Sequence, residues 1–126
     1  MILVDTSVWI DHFRKREPEL ERLLEASKVL IHPFIIGELA CGNIKHRKTI
    51  LSLLKELPAA ALATHDETLL YIEKNVLMGR GVGYIDIHLL ASVALSNARG
   101  LWTRDKRLHL VAEQMGRAWI ETRPLS

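Results

Sequence analysis

Four carboxylates, Asp5, Glu38, Asp86 and Asp105, each stand at or just past an apolar run, although Asp105 also has Arg104, Lys106 and Arg107 beside it. Asp5 follows Ile2-Leu3-Val4 directly, and Glu38 lies between Ile35-Ile36-Gly37 and Leu39. Asp86 is flanked by Ile85 and Ile87, and Asp105 closes the run Leu101-Trp102-Thr103-Arg104-Asp105. A charge taken out of water is costly unless it is paired or bound to a metal. Four such groups gathered in one cleft would also repel one another. A divalent cation resolves both costs, and ligation by oxygen alone favours Mg²⁺ or Mn²⁺. Such an ion would lower the pKa of bound water and stabilise developing negative charge. No Ser-His-Asp or Cys-His assembly stands out, which argues against a covalent enzyme intermediate.

The elements that must position these acids follow from periodicity. Ile2 to Val4 reads as a buried strand, and Val8, Trp9, Ile10 and Phe13 as the apolar positions of a helix that Ser7 can cap. Glu17 to Ala26 is a second helix, with Leu20, Leu23 and Leu24 at helical spacing. Val29-Leu30-Ile31 is the next strand, and His32-Pro33 opens a helix that carries Glu38 and ends at Gly42. Lys45 to Leu57 is amphipathic, with Ile50, Leu51, Leu53, Leu54 and Leu57 inward, and Pro58 stops it. Ala59 to Ala63 is a third strand, and Asp66 to Met78 a helix capped by Asp66 or Thr64. Gly79 to Gly83 is a loop, and Ile85 to Leu95 a helix apolar almost all round, hence buried. Leu101-Trp102-Thr103 is a fourth strand, Lys106 to Met115 a helix, and Ala118-Trp119-Ile120 a last short strand.

Apolar strands alternating with amphipathic helices imply an α/β fold, a parallel sheet covered on both faces in three α/β/α layers. Such sheets bind ligands beyond the carboxyl ends of their strands, where strand order reverses. Asp5 and Asp105 stand at two of those ends, Glu38 on the helix after another, and Asp86 in the first turn of the buried helix.

At 126 residues the chain has room for one domain with one core, spanning 1–126. The lone Cys41 excludes an intramolecular disulfide and a multi-Cys zinc site. Asp5 interrupts the first apolar run, no secretory pattern follows, and no stretch approaches the roughly 20 apolar residues of a membrane span. A cytoplasmic protein that starts directly in its fold is expected. The net charge of +2 is compatible with RNA and diagnostic of nothing, since a DNA-coating protein is usually more basic.

Each acid also has a plain structural reading. Asp5 could initiate the helix beside Ser7, and Asp86 could cap a helix dipole. Glu38 could be salt-bridged at the core edge, and Asp105 could pair on the surface with Arg104, Lys106 or Arg107. All four at matching strand ends are harder to dismiss together than singly.

As an ordered set, these motifs resemble the PIN-domain family in its VapC-like toxin branch. Ile2-Leu3-Val4-Asp5-Thr6-Ser7 is similar to its opening, and Ile36-Gly37-Glu38-Leu39 to its second-acid motif. Asp86-Ile87-His88-Leu89-Leu90-Ala91-Ser92-Val93-Ala94 looks like the third-acid helix, and Leu101-Trp102-Thr103-Arg104-Asp105 like the fourth-acid strand and turn. The resemblance implies a mostly parallel five-stranded sheet and a divalent-metal endoribonuclease toxin, usually homodimeric, leaving 5′-phosphate and 3′-hydroxyl ends. It assigns Asp5, Glu38, Asp86 and Asp105 to Mg²⁺ or Mn²⁺, and Thr103, with Thr6 or Ser7, as hydroxyls that orient a carboxylate or water. The family's fourth acid varies most, which leaves Asp105 either ligating directly or assisting through water. A VapB-like antitoxin blocking the cleft, often with a basic side chain, is implied as well.

Two basic clusters could grip phosphates: Lys45, Arg47 and Lys48 around His46, and Arg104, Lys106 and Arg107 beside Asp105. The plain alternative for both is a solvated helix face. Gly79 to Gly83 follows a helix and lacks the lysine of a phosphate loop, so it reads as a connection. His88 should face away from Asp86, while His109 shares a face with Asp105. Cys41 reads as a small buried hydrophobe, and Trp9, Trp102 and Trp119 as core or dimer contacts. Two rival functions remain. A Mg²⁺-binding phospho-receiver would need a second acid beside Asp5, where Thr6 stands, and an acceptor Asp where Thr64-His65 follow Ala63. An inhibitory RNA-binding domain that cleaves poorly would keep the fold without needing all four acids.

Overall fold

The computed structural model describes residues 1–122, so the last four residues of the expected 1–126 domain lie outside the described residues. Strand β1 (Ile2–Val4) is fully buried and stands in the middle of the sheet, in the order β2-β1-β3. It pairs in parallel with β2 (Val29–Leu30) through Ile2↔Val29 and Leu3↔Leu30. On its other side β3 (Gly100–Trp102) pairs in parallel through Ile2↔Gly100, Leu3↔Leu101 and Val4↔Trp102. The chain leaves β1 toward β2 on one side and returns to β3 on the other. The carboxyl end of β1 is therefore the switch point of the sheet.

The five-strand expectation needs correction, because among the described residues only three segments form strands. The Ala59–Ala63 segment makes one parallel bridge, Ile31↔Ala59, and the Ala118–Ile120 segment one, Leu101↔Ala118. Both extend the parallel row outward, but neither continues. After Ala60 donates to the Ile31 carbonyl, the Ala61 amide turns away to the Ser96 hydroxyl at 2.8 Å. Alanines offer little side chain to pack on a neighbouring strand, so nothing offsets that loss.

Helices α1 (Thr6–Arg14), α2 (Pro18–Glu25), α3 (Pro33–Cys41), α4 (Arg47–Lys55), α5 (His65–Asn75), α6 (Tyr84–Leu95) and α7 (Lys106–Gln114) complete the fold. Helix α6 packs on β1 and β3, and its run from Ile87 to Val93 is buried without a break. Helix α7 packs on β3, α3 on α1, α4 on α3, and α5 on α6. The core joins the sheet to Val8, Trp9, Leu20, Ile35, Leu39, Leu89, Leu90 and Leu108. No helix among the described residues is long and apolar enough to cross a membrane.

Two local expectations change, and one open choice is decided. Helix α4 is shorter than Lys45–Leu57, because His46 takes a left-handed conformation at φ 56° and the chain turns before Arg47. Leu54 is its buried centre, whereas Leu53, about 100° around the helix, is 57% exposed. Cys41 is exposed, not buried: Ile35 and Leu39 carry the inward face of α3, and Cys41 lies two residues past that face. Of the two candidate caps for α5, Thr64 serves, in a reciprocal capping box with Glu67.

His32 has a role that composition did not suggest. It caps α3 through Nδ1, which accepts from the Phe34 amide at 3.0 Å, while Nε2 is buried with no hydrogen-bond partner among the described residues. Burial first, and then the nearby His88, push its pKa down to about 4. The folded protein thus prefers the neutral ring, and the unfolded chain takes up the proton near pH 6.5. Stability from this group is complete above that pH and is lost as pH falls toward 4. A His32→Asn variant keeps a capping acceptor, so urea titrations from pH 7 to 4 should show a shallower loss of stability than in the parent.

Gly100 marks the closest approach in the sheet. A Cβ there would meet the Trp119 nitrogen at 2.7 Å and the Ala118 carbonyl carbon at 2.8 Å, both backbone atoms. Gly100→Ala should cost roughly 1–3 kcal/mol in urea unfolding, as overpacking does. Gly37→Ala, with nothing within 4 Å of the added carbon, should instead hold or gain up to about 1 kcal/mol.

Candidate active site

Asp5 follows β1 without a spacer and forms the N-cap of α1, so one residue carries both the strand end and the helix start. Its backbone extends the sheet, donating to the Trp102 carbonyl at 2.9 Å. Trp9 ties the same corner from the helix side, its indole donating to the Val4 carbonyl at 3.2 Å. The Asp5 side chain is only 7% exposed.

Two hydroxyls meet that carboxylate. Thr103, just past β3, donates to Asp5 Oδ2 at 2.7 Å, and Ser7 donates to the same oxygen at 3.0 Å. Each hydroxyl oxygen is in turn fixed by an amide: Arg104 N–H donates to Ser7 at 3.0 Å and Asp105 N–H to Thr103 at 3.1 Å. With donor and acceptor sides both engaged, neither hydroxyl is free to rotate. Ser7 therefore orients Asp5 rather than capping α1, which has no side-chain cap bond. Thr6 performs the parallel task for the second acid, donating to Glu38 Oε1 at 2.9 Å from α1 to α3.

The other acids are held more loosely. Glu38 is exposed and makes no salt bridge among the described residues, where the core-edge ion pair does not form. Asp105 is exposed and caps α7, its Oδ1 accepting from the Arg107 and Leu108 amides at 3.0 Å each. Asp86 is half-buried in the first turn of α6, and its Oδ2 accepts from the Gly83 amide at 3.3 Å. Burial pushes the Asp86 carboxyl up, the Gly83 hydrogen bond pulls it down, and the charges of Asp5, Asp105 and Glu38 push it up again. One carboxyl thus feels all three others, which places the four acids in one electrostatic neighbourhood.

The donor set fits a hard divalent cation in chemistry. Asp5 Oδ1, Glu38 Oε2, Asp86 Oδ1 and Asp105 Oδ2 take no hydrogen bond among the described residues, so each acid keeps one oxygen for a further partner. As the side chains stand, no three His, Cys, Asp or Glu among the described residues are arranged to hold an ion. Closing such a set requires side-chain rotation, which is easiest at the two exposed acids.

The remaining candidates divide clearly. Arg47 donates to the Ala40 carbonyl at the end of α3, and Arg107 lies across Gly81. Arg104 is bound by Asp11, Glu17 and Glu121, a trio the sequence reading missed. The one signal for it was the spacing of Ser7 and Asp11, one helical turn apart on the same face. Lys45, Lys48 and Lys106 are exposed and make no ion pair among the described residues. Lys45 shares a groove with Glu38, and Lys106 a hollow with Thr103. His88 is buried beside Thr68 and edge-on to Tyr84, away from the acids, as its spacing predicts. His109 pairs with Glu113 at 3.2 Å. Trp9 and Trp102 are core residues, and Trp119 packs on Trp102 at 4.5 Å between ring centroids.

The PIN domain family description matches residues 2–114. Ribonuclease VapC32 of Mycobacterium tuberculosis, from strains CDC 1551 and H37Rv alike, is 47% identical over 121 residues, covering 96% of this chain and 98% of the relative. A crystal structure of PAE2754 from Pyrobaculum aerophilum superposes with a TM-score of 0.61 at 17% identity, over 93% of this chain and 81% of that one. The last shows the shared fold alone. With the family description spanning most of the sheet and every candidate acid, and a relative matched nearly end to end, this chain belongs to the PIN-domain family, in its VapC-like branch.

Proposed function

We propose that this protein is an endoribonuclease toxin that hydrolyses RNA with Mg²⁺ or Mn²⁺ held by Asp5, Glu38, Asp86 and Asp105. The observation that supports the reading is Asp5, buried on two hydroxyls at the switch point of the parallel sheet, with Asp86 close enough to feel its charge and those of Asp105 and Glu38. The name of the Mycobacterium tuberculosis relative supports RNA as the substrate class. When bound, the ion supplies a Lewis acid for the scissile phosphate and a water of lowered pKa. The chain supplies the placement. Ser7 and Thr103 fix Asp5, Thr6 restrains Glu38, and Asp86 is kept partly desolvated among like charges. Of the two basic clusters, Lys45, Lys48, Lys106 and Arg107 are exposed and pair with no acid among the described residues, so they are the members open to an RNA backbone, whereas Arg47 and Arg104 bond within the protein. The products are expected to carry 5′-phosphate and 3′-hydroxyl ends.

The same reading supplies a partner and a setting. A VapB-like antitoxin would silence the enzyme by laying a basic side chain among the acids, in the cytoplasm. Self-association suits the α5–α6 face, where Leu70 is 69% and Leu95 50% exposed around a hollow also lined by Ala63, Ala91 and Ala94. Exposed apolar area of this kind is a common mark of an interface. Leu70→Asp should therefore shift the mass measured by light scattering from two chains to one, and an unchanged mass would remove this face from consideration.

Antitoxin-free protein should cut end-labelled RNA with Mg²⁺ or Mn²⁺ and stop with EDTA. Asp5→Asn and Asp86→Asn should each fold and lose more than the roughly 10–100-fold that an outer-shell substitution costs. RNA that is bound but left intact by the wild type would favour the inhibitory RNA-binding reading. Cutting that persists in both variants would displace the site.

A further inference from the structure

Arg104 sits between two residues of the site, yet its guanidinium points to a different set of acids. Its Nη1 donates to Asp11 Oδ2 at 2.7 Å and to Glu17 Oε1 at 2.8 Å, and its Nε donates to Glu121 Oε1 at 2.7 Å. The same Glu121 oxygen accepts from the Trp102 indole at 2.7 Å, and the guanidinium carbon lies 5.8 Å from the Trp102 ring centre. Carboxylates from three separate segments thus share this one guanidinium, which draws them together against their mutual repulsion. Hydrogen bonding to Glu17, then to Asp11 and Glu121, holds it firmly protonated.

These contacts come from three parts of the chain. Asp11 is on α1, one turn after Ser7; Glu17 precedes α2; Glu121 follows the outer bridge at Ala118. The backbone of Arg104 reaches the site from the same position, its amide holding the Ser7 hydroxyl that holds Asp5. Thr103 before it donates to Asp5, and Asp105 after it caps α7. Helix α1 is thus pinned to the 103–105 turn twice, by Ser7 through the backbone and by Asp11 through the guanidinium.

We propose that Arg104 is a positioning residue for the Asp5 carboxylate, clamping α1, the entry to α2 and the segment at Glu121 around the turn that presents Thr103 and Ser7, and that it is not a contact for substrate phosphate. The proposal rests on the nuclease reading of the site. The Nε proton and both Nη1 protons are taken by carboxylates, so a phosphate at this guanidinium would have to share it with three acids that repel it. A lysine could keep one of these bonds but has no planar fork to span three acids.

The test compares wild type with Arg104→Gln, Arg104→Lys and the double variant Arg104→Gln/Asp11→Asn, after circular dichroism confirms folding. In RNA cleavage, positioning predicts that kcat falls about tenfold or more in Arg104→Gln with KM nearly unchanged. Arg104→Lys should recover part of the loss, and the double variant more than Arg104→Gln alone, because one repelling carboxylate is gone. Binding of labelled RNA to Asp5→Asn should be the same with and without Arg104→Gln, at every salt concentration. A raised KM, weaker RNA binding or a shallower salt dependence would overturn the proposal in favour of a phosphate contact, and an unchanged kcat would overturn it outright. Amide hydrogen exchange at residues 103–105 gives a readout independent of cleavage, and it should be faster in Arg104→Gln. If wild type itself does not cut RNA, the nuclease reading fails, and the exchange result still decides whether the clamp exists.

Discussion

The structure is arranged around a negative charge at the end of a fully buried strand. Asp5 is 7% exposed and one residue beyond Val4, which has no exposure at all. Such a group is tolerated only if its lost water contacts are replaced. The replacement is two hydroxyls, not a cation, and the difference matters. A guanidinium on Asp5 would have cancelled its charge, whereas Ser7 and Thr103 solvate the carboxylate and leave the charge in place. The geometry exists because β1 and β3 pair in parallel, so that Val4 faces Trp102 and the next residues of both strands emerge side by side.

Charge is then sorted on the two sides of the 103–105 turn. On one side lie Asp5, Asp86, Glu38 and Asp105, and the Asp86 carboxyl is raised by burial first and then by the charges of the other three. Outward lie Asp11, Glu17 and Glu121, gathered on Arg104. The turn thus commits its arginine to the outer acids and keeps the inner ones uncompensated. A cleft kept negative in this way favours positive charge over negative at its mouth. The backbone amides of the same turn serve the inner hydroxyls, so one three-residue segment supports both arrangements.

What was legible in the sequence was whatever depends on local pattern. The apolar runs at Ile2–Val4 and Leu101–Trp102, the breaks at Pro33, Gly42 and Pro58, and the unbroken apolar helix after Tyr84 all carry their burial in composition. Acids beside such runs were legible for the same reason, since a charge there needs an explanation. The outer strands were not, because Ala59–Ala63 and Ala118–Ile120 pair for one residue each and the next amide of the first goes to Ser96 from another helix. Helix α4 misled because its leucines occupy more of the surface than one neighbour can cover, leaving Leu53 outside. The Arg104 cluster joins residues far apart in sequence, and only the fold brings them together. Reading Arg104 with its sequence neighbours Lys106 and Arg107 suggested a basic patch, and the bonds of its guanidinium suggest the reverse.

The four inner acids also differ in how much freedom each has lost. Asp5 is buried and doubly bonded, so its position is set by the sheet. Asp86 is half-buried and carries one weak amide contact at 3.3 Å, in an environment that disfavours its charge. Glu38 and Asp105 are exposed, each restrained through a single oxygen. Ordering a long exposed side chain costs entropy when it is done at binding, and almost nothing when burial has already fixed the group. Asp5 is therefore the fixed member of the four, and Asp86, Glu38 and Asp105 are the ones left to adjust. A site with all four acids buried would hold its ion more rigidly, at a far higher cost in repulsion to the fold that carries it.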